Sequence, residues 1–169
     1  SKLVPNSASI LDIGCGDGTI GYLMMQHKPS ISVKGLEVMM RQNCRINCKI
    51  FDGVNIPYKD SSVDMCMAVD VFHHTNNIKE LLKEASRVSR KYVLIKDHLY
   101  NNKMDFNILK VMDWIGNKPY GVNLVYNYQK KLNWKVHFSF CNLNVIDWDE
   151  KIPLHNFPLN KIFSRNLHF

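Results

Sequence analysis

Three alternating glycines in Asp12-Ile13-Gly14-Cys15-Gly16-Asp17-Gly18 follow a short apolar run, and they are the first place where chemistry is expected. Glycine removes the Cβ that keeps a backbone away from a ligand, so a strand ending in such a loop and opening a helix can approach a small molecule closely. Glu37 closes the next apolar run, where an acidic side chain can accept hydrogen bonds from both hydroxyls of a ribose. In an open parallel sheet the ligand lies beyond the carboxyl ends of the strands, where the strand order reverses. Two ligand classes use this layout. Gly16-x-Gly18-x-x-Gly21 matches the dinucleotide pattern, but the strand ends at Ile13, so the match comes late and Gly21 falls inside the helix. The alternative, D-x-G-x-G-x-G directly after the strand, fits without adjustment, and there the loop wraps the amino-acid end of a nucleoside. The register favours the second.

Other reactive side chains read less sharply. His73 and His74 suggest a metal pair, yet adjacent residues on an extended segment point apart, so they are expected as helix-entry histidines packed near the ligand. His98 follows the last clear strand, where substrate chemistry would occur. Trp114, Tyr120, Tyr126 and Tyr128 are candidates for the wall of an acceptor pocket or for plain core. Cys44 and Cys48 stand four apart and could share a helix face, but no C-x-x-C pair exists and no further ligands follow at zinc spacing, so no metal site is expected. The five cysteines are an odd number in a chain large enough to need no staples, which predicts a reducing, cytoplasmic compartment.

The elements that must hold these residues alternate. Strands are expected at 10–13, 32–37, 49–51, 63–69 and 92–95, and helices at 19–26 and from 78 to 88, the latter behind an Asn77-x-x-Glu80 start signal. VDMCMAV at 63–69 is nearly continuous apolar, as suits a strand buried on both faces of a parallel sheet. This cadence means right-handed crossovers and a doubly wound α/β sheet. Beyond residue 100 the pattern changes. A helix at 104–115 is apolar on more than one face, so it is covered on two sides or acts as a lid. A loop rich in Asn, Gly and Tyr, a helix at 129–138, a strand near 144–149 and a strand-like tail at 162–169 complete the chain, and the tail suggests an antiparallel partner. No repeat or linker is present, so residues 1–169 read as one domain with a ligand-binding half (1–98) and an acceptor-side half (99–169).

Residues 8–98 resemble the class I S-adenosylmethionine-dependent methyltransferases, in the small-molecule, type 11-like branch. ILDIGCGDGTIGYLM (10–24) resembles the family's first motif and GLEV (35–38) its acidic-ended second strand. FDGVNIPYKDSSVDMCMAVDVFHH (51–74) and LLKEASRVSRKYVLIKDH (81–98) resemble the segments that carry the next strands. The resemblance implies a mostly parallel seven-stranded sheet, a Rossmann-like methyltransferase fold with a final antiparallel strand. It implies that Asp12, Gly14, Cys15, Gly16 and Gly18 line the methionine and ribose end of S-adenosylmethionine. It further implies that Glu37 binds the ribose diol, that Asp52 accepts from the adenine amino group beside Gly53 and Val54, and that Asp70 and Val71 border the methionine. Asp70 stands where a small polar residue is common. Methyl transfer from a sulfonium needs a general base only when the acceptor must lose a proton. Among His73, His74, Asp97 and His98, the last is the best-placed candidate for that role, with His73, His74, Trp114 and Tyr120 as acceptor contacts. The product would be S-adenosylhomocysteine.

Composition narrows the partners. With 46% hydrophobic and 22% charged residues, the 169-residue chain has the make-up of a globular domain, and disorder and collagen-like repeats are excluded. No run approaches about 18 apolar residues, and the start lacks a basic stretch followed by an apolar core, so neither a membrane span nor a secretory signal is expected. The net charge of +7 is spread along the chain, and it does not read as a nucleic-acid footprint. Asp12, Asp17, Glu37, Asp52 and Asp70 gather at one predicted sheet edge, which suits a cationic sulfonium better than a polyanion. The leading expectation is a methyltransferase for a small-molecule acceptor. An RNA or protein methyltransferase is the second, and a non-catalytic S-adenosylmethionine-binding or scaffold protein the third.

Overall fold

The structure, a computed structural model, describes residues 4–150 and 167–169. The chain runs β1 (Ser9–Ile13), α1 (Thr19–His27), β2 (Ser32–Glu37), β3 (Asn47–Ile50), β4 (Val63–Val69), a 3₁₀ turn (Phe72–His74), α2 (Ile78–Val88), β5 (Ser89–Lys96), α3 (Lys103–Asn117), a second 3₁₀ turn (Lys118–Tyr120) and α4 (Lys131–Phe140). It divides into two compact units, one of Ser1–Val71 with Lys79–Ile95 and one of Phe72–Ile78 with Lys96–Phe169.

The first unit is the doubly wound half. Its sheet has the order β3-β2-β1-β4-β5, and the β1–β2, β1–β4 and β2–β3 pairs are parallel. Strand order therefore reverses between β1 and β4, the place where such sheets open a ligand crevice. β4 is buried along most of its length, as its continuous apolar run requires. Ser9 pins β1 to β4, its N–H and hydroxyl both donating to Asp64 Oδ2 at 3.0 and 2.9 Å. α2 buries Ile78, Leu81, Leu82, Ala85 and Val88, the stripe that its spacing foretold. α1 places Tyr22, Met24 and Met25 against the core and leaves Ile20 and Leu23 45% and 48% exposed. Gly21 lets the helix sit close, since a Cβ there would stand 2.8 Å from Val33 Cγ1.

The sheet is smaller than expected: five strands are formed among the described residues, not seven. Residues 144–149, expected as a strand, adopt no regular structure. Of the tail, 162–166 lie outside the described residues. Leu167 to Phe169 run antiparallel to 97–99 as a single bridge at His98 and His168, with Leu99 N donating to Leu167 O at 2.7 Å and Phe169 N to Asp97 O at 3.1 Å.

That bridge belongs to the second unit, which has its own core. Leu109, Tyr128 and Leu167 form one cluster, with Tyr100, Phe106, Ile108 and Tyr126 against it. Trp134, 1% exposed, packs against Phe72, Phe138 and Phe169. α3 starts where Asn102 Oδ1 accepts from Asp105 N, an N-cap. Only one of its two apolar faces is covered, since Met104, Val111, Trp114 and Ile115 are more than half exposed. No described helix is long and apolar enough to cross a membrane.

Candidate functional site

At the sheet edge of the first unit, backbone shape makes the site. Gly14 and Gly18 hold left-handed φ of +66° and +73°, and a Cβ on Gly14 would stand 2.6 Å from Val71 Cγ2. The chain can turn there only because glycine has neither the steric penalty nor the atom. Gly14 N and Cys15 N both donate to Leu36 O, at 2.8 and 3.1 Å, and clamp the loop onto the end of β2. Gly16 N then donates to Glu37 Oε2 at 2.8 Å, and Val38 N to Glu37 Oε1 at the same distance, so the acid closing β2 faces the glycine loop. Nothing lies within 4 Å of where a Gly16 Cβ would stand. Open space therefore lies beside Gly16, next to the loop amides and Glu37.

Around it the acids differ in state. Asp12, 2% exposed, has its carboxyl pushed up to about 7 by burial and by the negative charge of Glu37. Asp17 is exposed and accepts from Thr19 N at 3.0 Å, which holds the acid below its ordinary range. Asp52 ties its own turn: Oδ1 accepts from Val54 N and Asn55 N, and Oδ2 from Asn55 Nδ2 at 2.6 Å. Asn55 and the two backbone amides hold the Asp52 carboxyl low and fix how Gly53 and Val54 are presented. Asp70 follows β4 with a left-handed φ of +56°, a costly conformation for a residue with a Cβ.

Cys15 belongs to this unit in a way its sequence position does not reveal. The expectation that Cys44 and Cys48 share a helix face fails, because Cys48 lies in β3 and Cys44 in the loop before it. Gly35 is the register partner of both Asp12 and Cys48. Its missing side chain leaves room for Cys15, whose Sγ would lie 2.4 Å from a Gly35 Cβ and reaches Cys48 Sγ at 3.4 Å. Burial pushes the Cys15 and Cys48 thiols up.

The second unit builds its site from side chains. The pair His73 and His74 sits on a 3₁₀ turn rather than an extended segment, so the rings do not point apart: their centroids are 4.0 Å apart, tilted by 45°. His73 is buried and bonds through Nδ1 to Asp97 Oδ1 at 2.7 Å. Asp97, 1% exposed, also accepts from Phe72 N (2.8 Å) and His98 N (2.7 Å). On the other side, His73 Nε2 and His74 Nε2 face Asp113 Oδ1 at 3.8 and 3.7 Å. Asp113 is held from behind by Tyr128 Oη on Oδ2 (2.9 Å) and Asn117 Nδ2 on Oδ1 (2.6 Å).

Charge decides the protonation of this cluster. Burial alone would pull His73 down, but Asp97 and Asp113 carry it up to about 9. Burial would raise both acids, and the histidines outweigh it: Asp97 is lowered, and Asp113 falls to about 2. His74 is lowered by burial and by the charge of His73. His98, expected as the leading base, is depressed to about 2 by the same two causes. Trp114 and Tyr120, expected as acceptor contacts, are 52% and 64% exposed, whereas Tyr126 and Tyr128 pack with the core of their unit. A depression of about 420 Å³ at the end of α4, lined by Lys135, Phe138 and Asn142 among others, contains none of the expected site residues.

Sequence reasoning missed Asp113, Asn117 and the pivotal place of Asp97. One signal existed. Asp113 interrupts the apolar run of α3, and a lone acid among apolar neighbours marks a buried, partnered charge.

Residues 11–94 match the model of a family described as a methyltransferase domain. The 27-O-demethylrifamycin SV methyltransferase of Amycolatopsis mediterranei (strain S699) is 28% identical over 94 residues, 48% of this chain and 34% of that protein. The norajmaline N-methyltransferase of Rauvolfia serpentina is 27% identical over 95 residues, 48% of this chain and 32% of that one. The chain thus spans about a third of the length of the curated relatives it matches. Among solved structures, a chain of the complex containing the Haloferax volcanii Trm112 methyltransferase activator superposes with a TM-score of 0.74 at 18% identity, covering 95% of this chain and 73% of that one.

Proposed function

The chain belongs to the methyltransferase-domain family over residues 11–94, and from that premise we propose that it transfers a methyl group from S-adenosylmethionine to a small-molecule acceptor. The observation that carries this reading is the open cradle over Gly16, bounded by left-handed glycines and by Glu37 at the end of β2. S-adenosylmethionine supplies a methyl already activated on a sulfonium, so the protein has to bind and align rather than activate.

In this reading Gly14, Cys15, Gly16 and Gly18 present their backbone to the methionine and ribose end, and the buried Asp12 lies beneath it. Glu37 accepts from the ribose hydroxyls. Asp52 fixes the turn that offers Gly53 and Val54 to the adenine, with its remaining lone pairs directed to the amino group. Asp70 and Val71 border the methionine by main chain, and Val71 also keeps Gly14 in place. The acid-rich edge favours the cationic cofactor. A small acceptor is supported by the two curated relatives, one named for a rifamycin and one for the nitrogen of norajmaline.

Calorimetry tests the reading. S-adenosylmethionine and S-adenosylhomocysteine should each bind at one site, and Glu37→Ala should weaken both at least about tenfold, the loss of a charged hydrogen bond. Absence of heat with either ligand, or tighter binding of a nicotinamide dinucleotide, would overturn it.

A further inference from the structure

The histidine–aspartate cluster of the second unit holds an arrangement that methyl transfer from a sulfonium does not require. We propose that His73, His74 and Asp113 form a site for a divalent first-row cation of the zinc, iron(II) or manganese(II) class.

Geometry is the first support. The 3₁₀ turn Phe72–His74 puts two imidazoles side by side, and both Nε2 atoms address the same carboxylate oxygen, Asp113 Oδ1, at 3.8 and 3.7 Å. One ligand atom from each of the three residues lies within 4.8 Å of the others. Ligands bound at about 2.0–2.1 Å in a tetrahedral site stand roughly 3.4 Å from each other, so each imidazole has to close on the Asp113 oxygen by a few tenths of an ångström.

The second support is independent of spacing. His73 is 1% exposed, and its Nε2 has no hydrogen-bond partner although it points into the cluster. Its other nitrogen is committed: Asp97 is a carboxylate that already accepts from Phe72 N and His98 N, so the His73 Nδ1 at 2.7 Å must be the donor. A histidine that donates through one nitrogen to a buried carboxylate and aims the other at a second carboxylate has the carboxylate–histidine–metal order. Asp113 is steadied in the same way, Tyr128 Oη and Asn117 Nδ2 fixing its two oxygens. Asp97, Tyr128 and Asn117 are then positioning residues for the ligands.

Two imidazoles and one carboxylate suit borderline cations better than calcium or magnesium, which prefer all-oxygen sets, or copper(I), which prefers sulfur. Three protein ligands leave at least one position for water or for an oxygen of a bound molecule.

The test uses cobalt(II) as a visible probe and zinc(II) as its competitor, on protein stripped with chelator. Because Cys15, Cys44 and Cys48 also lie within reach of one another, it is run in a background with all three changed to Ser. One equivalent of cobalt(II) should produce ligand-field bands of a four- or five-coordinate ion without thiolate charge transfer, and zinc(II) should abolish them. Asp113→Asn, of nearly the same shape, and His74→Ala, at the more accessible ligand, should each weaken cobalt(II) at least about tenfold while the thermal melt shows a folded chain. Bands that vanish in the triple-serine background while the chain stays folded, or that persist at unchanged affinity in both variants, would overturn the site. The readout involves no methyl donor, so its failure would leave the methyltransferase reading standing.

Discussion

The glycine edge of the first unit and the histidine–aspartate cluster of the second are made from opposite materials. The first is a backbone site: Gly14, Gly16 and Gly18 turn the chain with positive φ, and amide donors to Leu36 O and Glu37 hold it. The second is a site of buried charge, in which His73 stands between Asp97, which accepts from three donors, and Asp113, which accepts from Tyr128 and Asn117. A backbone site tolerates side-chain change but not a misplaced Cβ. A buried ionic site tolerates neither partner's loss, because the survivor is left charged in a medium that cannot solvate it.

The contrast is tested most severely at Asp97. Asp97→Ala strands three donors, Phe72 N, His73 Nδ1 and His98 N, and should cost roughly 3–5 kcal/mol, read as a large fall in the urea midpoint. A loss below about 1 kcal/mol, the scale of an ordinary hydrogen bond, would show that the cluster is solvated and that the contrast is false.

In the first unit, two glycines separate strain from ligand space. Gly14→Ala meets both a left-handed φ and Val71 at 2.6 Å, so it should destabilise by about 1–3 kcal/mol and abolish S-adenosylhomocysteine binding. Gly16→Ala has a φ of +58° but nothing within 4 Å. It should cost only about 1–2 kcal/mol, yet still weaken the ligand about tenfold or more because the methyl fills the cradle. Wild-type affinity in Gly16→Ala, measured by calorimetry, would move the ligand away from this space.

The same difference explains what the sequence revealed. The glycine loop was legible because its whole argument fits in seven consecutive residues and because β1, β2 and β4 bracket it with apolar runs. The buried stripe of α2 and the run of β4 were legible for the same local reason. The histidine cluster was not, since it joins residues 73, 97, 113 and 128, and no spacing rule links positions so far apart. The geometry of the His73–His74 pair turned on one detail, a 3₁₀ turn where an extended segment was expected. In α1 the apolar residues divide: Met24 and Met25 pack against the core while Ile20 and Leu23 are exposed, and the close approach at Gly21 comes from a residue with no side chain to count.

Asp12 sharpens the comparison from the pH side. Its carboxyl titrates near about 3.9 in an unfolded chain and at about 7 in the folded one, raised by burial and by Glu37. Between those values the folded chain binds the extra proton, so this group favours folding most at and below the lower value. Stability then falls as the pH rises through the upper one, by up to a few kcal/mol. Asp12→Asn removes the titration. The variant should melt at a higher temperature than the wild type at pH 8, with the gap closing toward pH 4, while its affinity for S-adenosylmethionine drops. An unchanged melting profile against pH would mean that the acid is already ionised.

The smallest effect is expected at Arg87, where hydrogen bonds are numerous but only partly buried. Arg87 forks onto Glu84 through Nε (2.7 Å) and Nη2 (2.7 Å), reaches Asp60 through Nη1 (2.6 Å), and donates to the carbonyls of Ile56 and Tyr58. Its side chain is 30% exposed and Asp60 is 78% exposed, so water and salt compete for every bond. Arg87→Ala should therefore cost about 1 kcal/mol or less, shrinking further in 1 M salt, where the screening length falls to about 3 Å. If it instead matched Asp97→Ala, the number of partners rather than their burial would set the worth of an ion network in this fold. If it falls well below, five partly solvated hydrogen bonds weigh less than three around a buried acid, because only the buried acid has no solvent to return to.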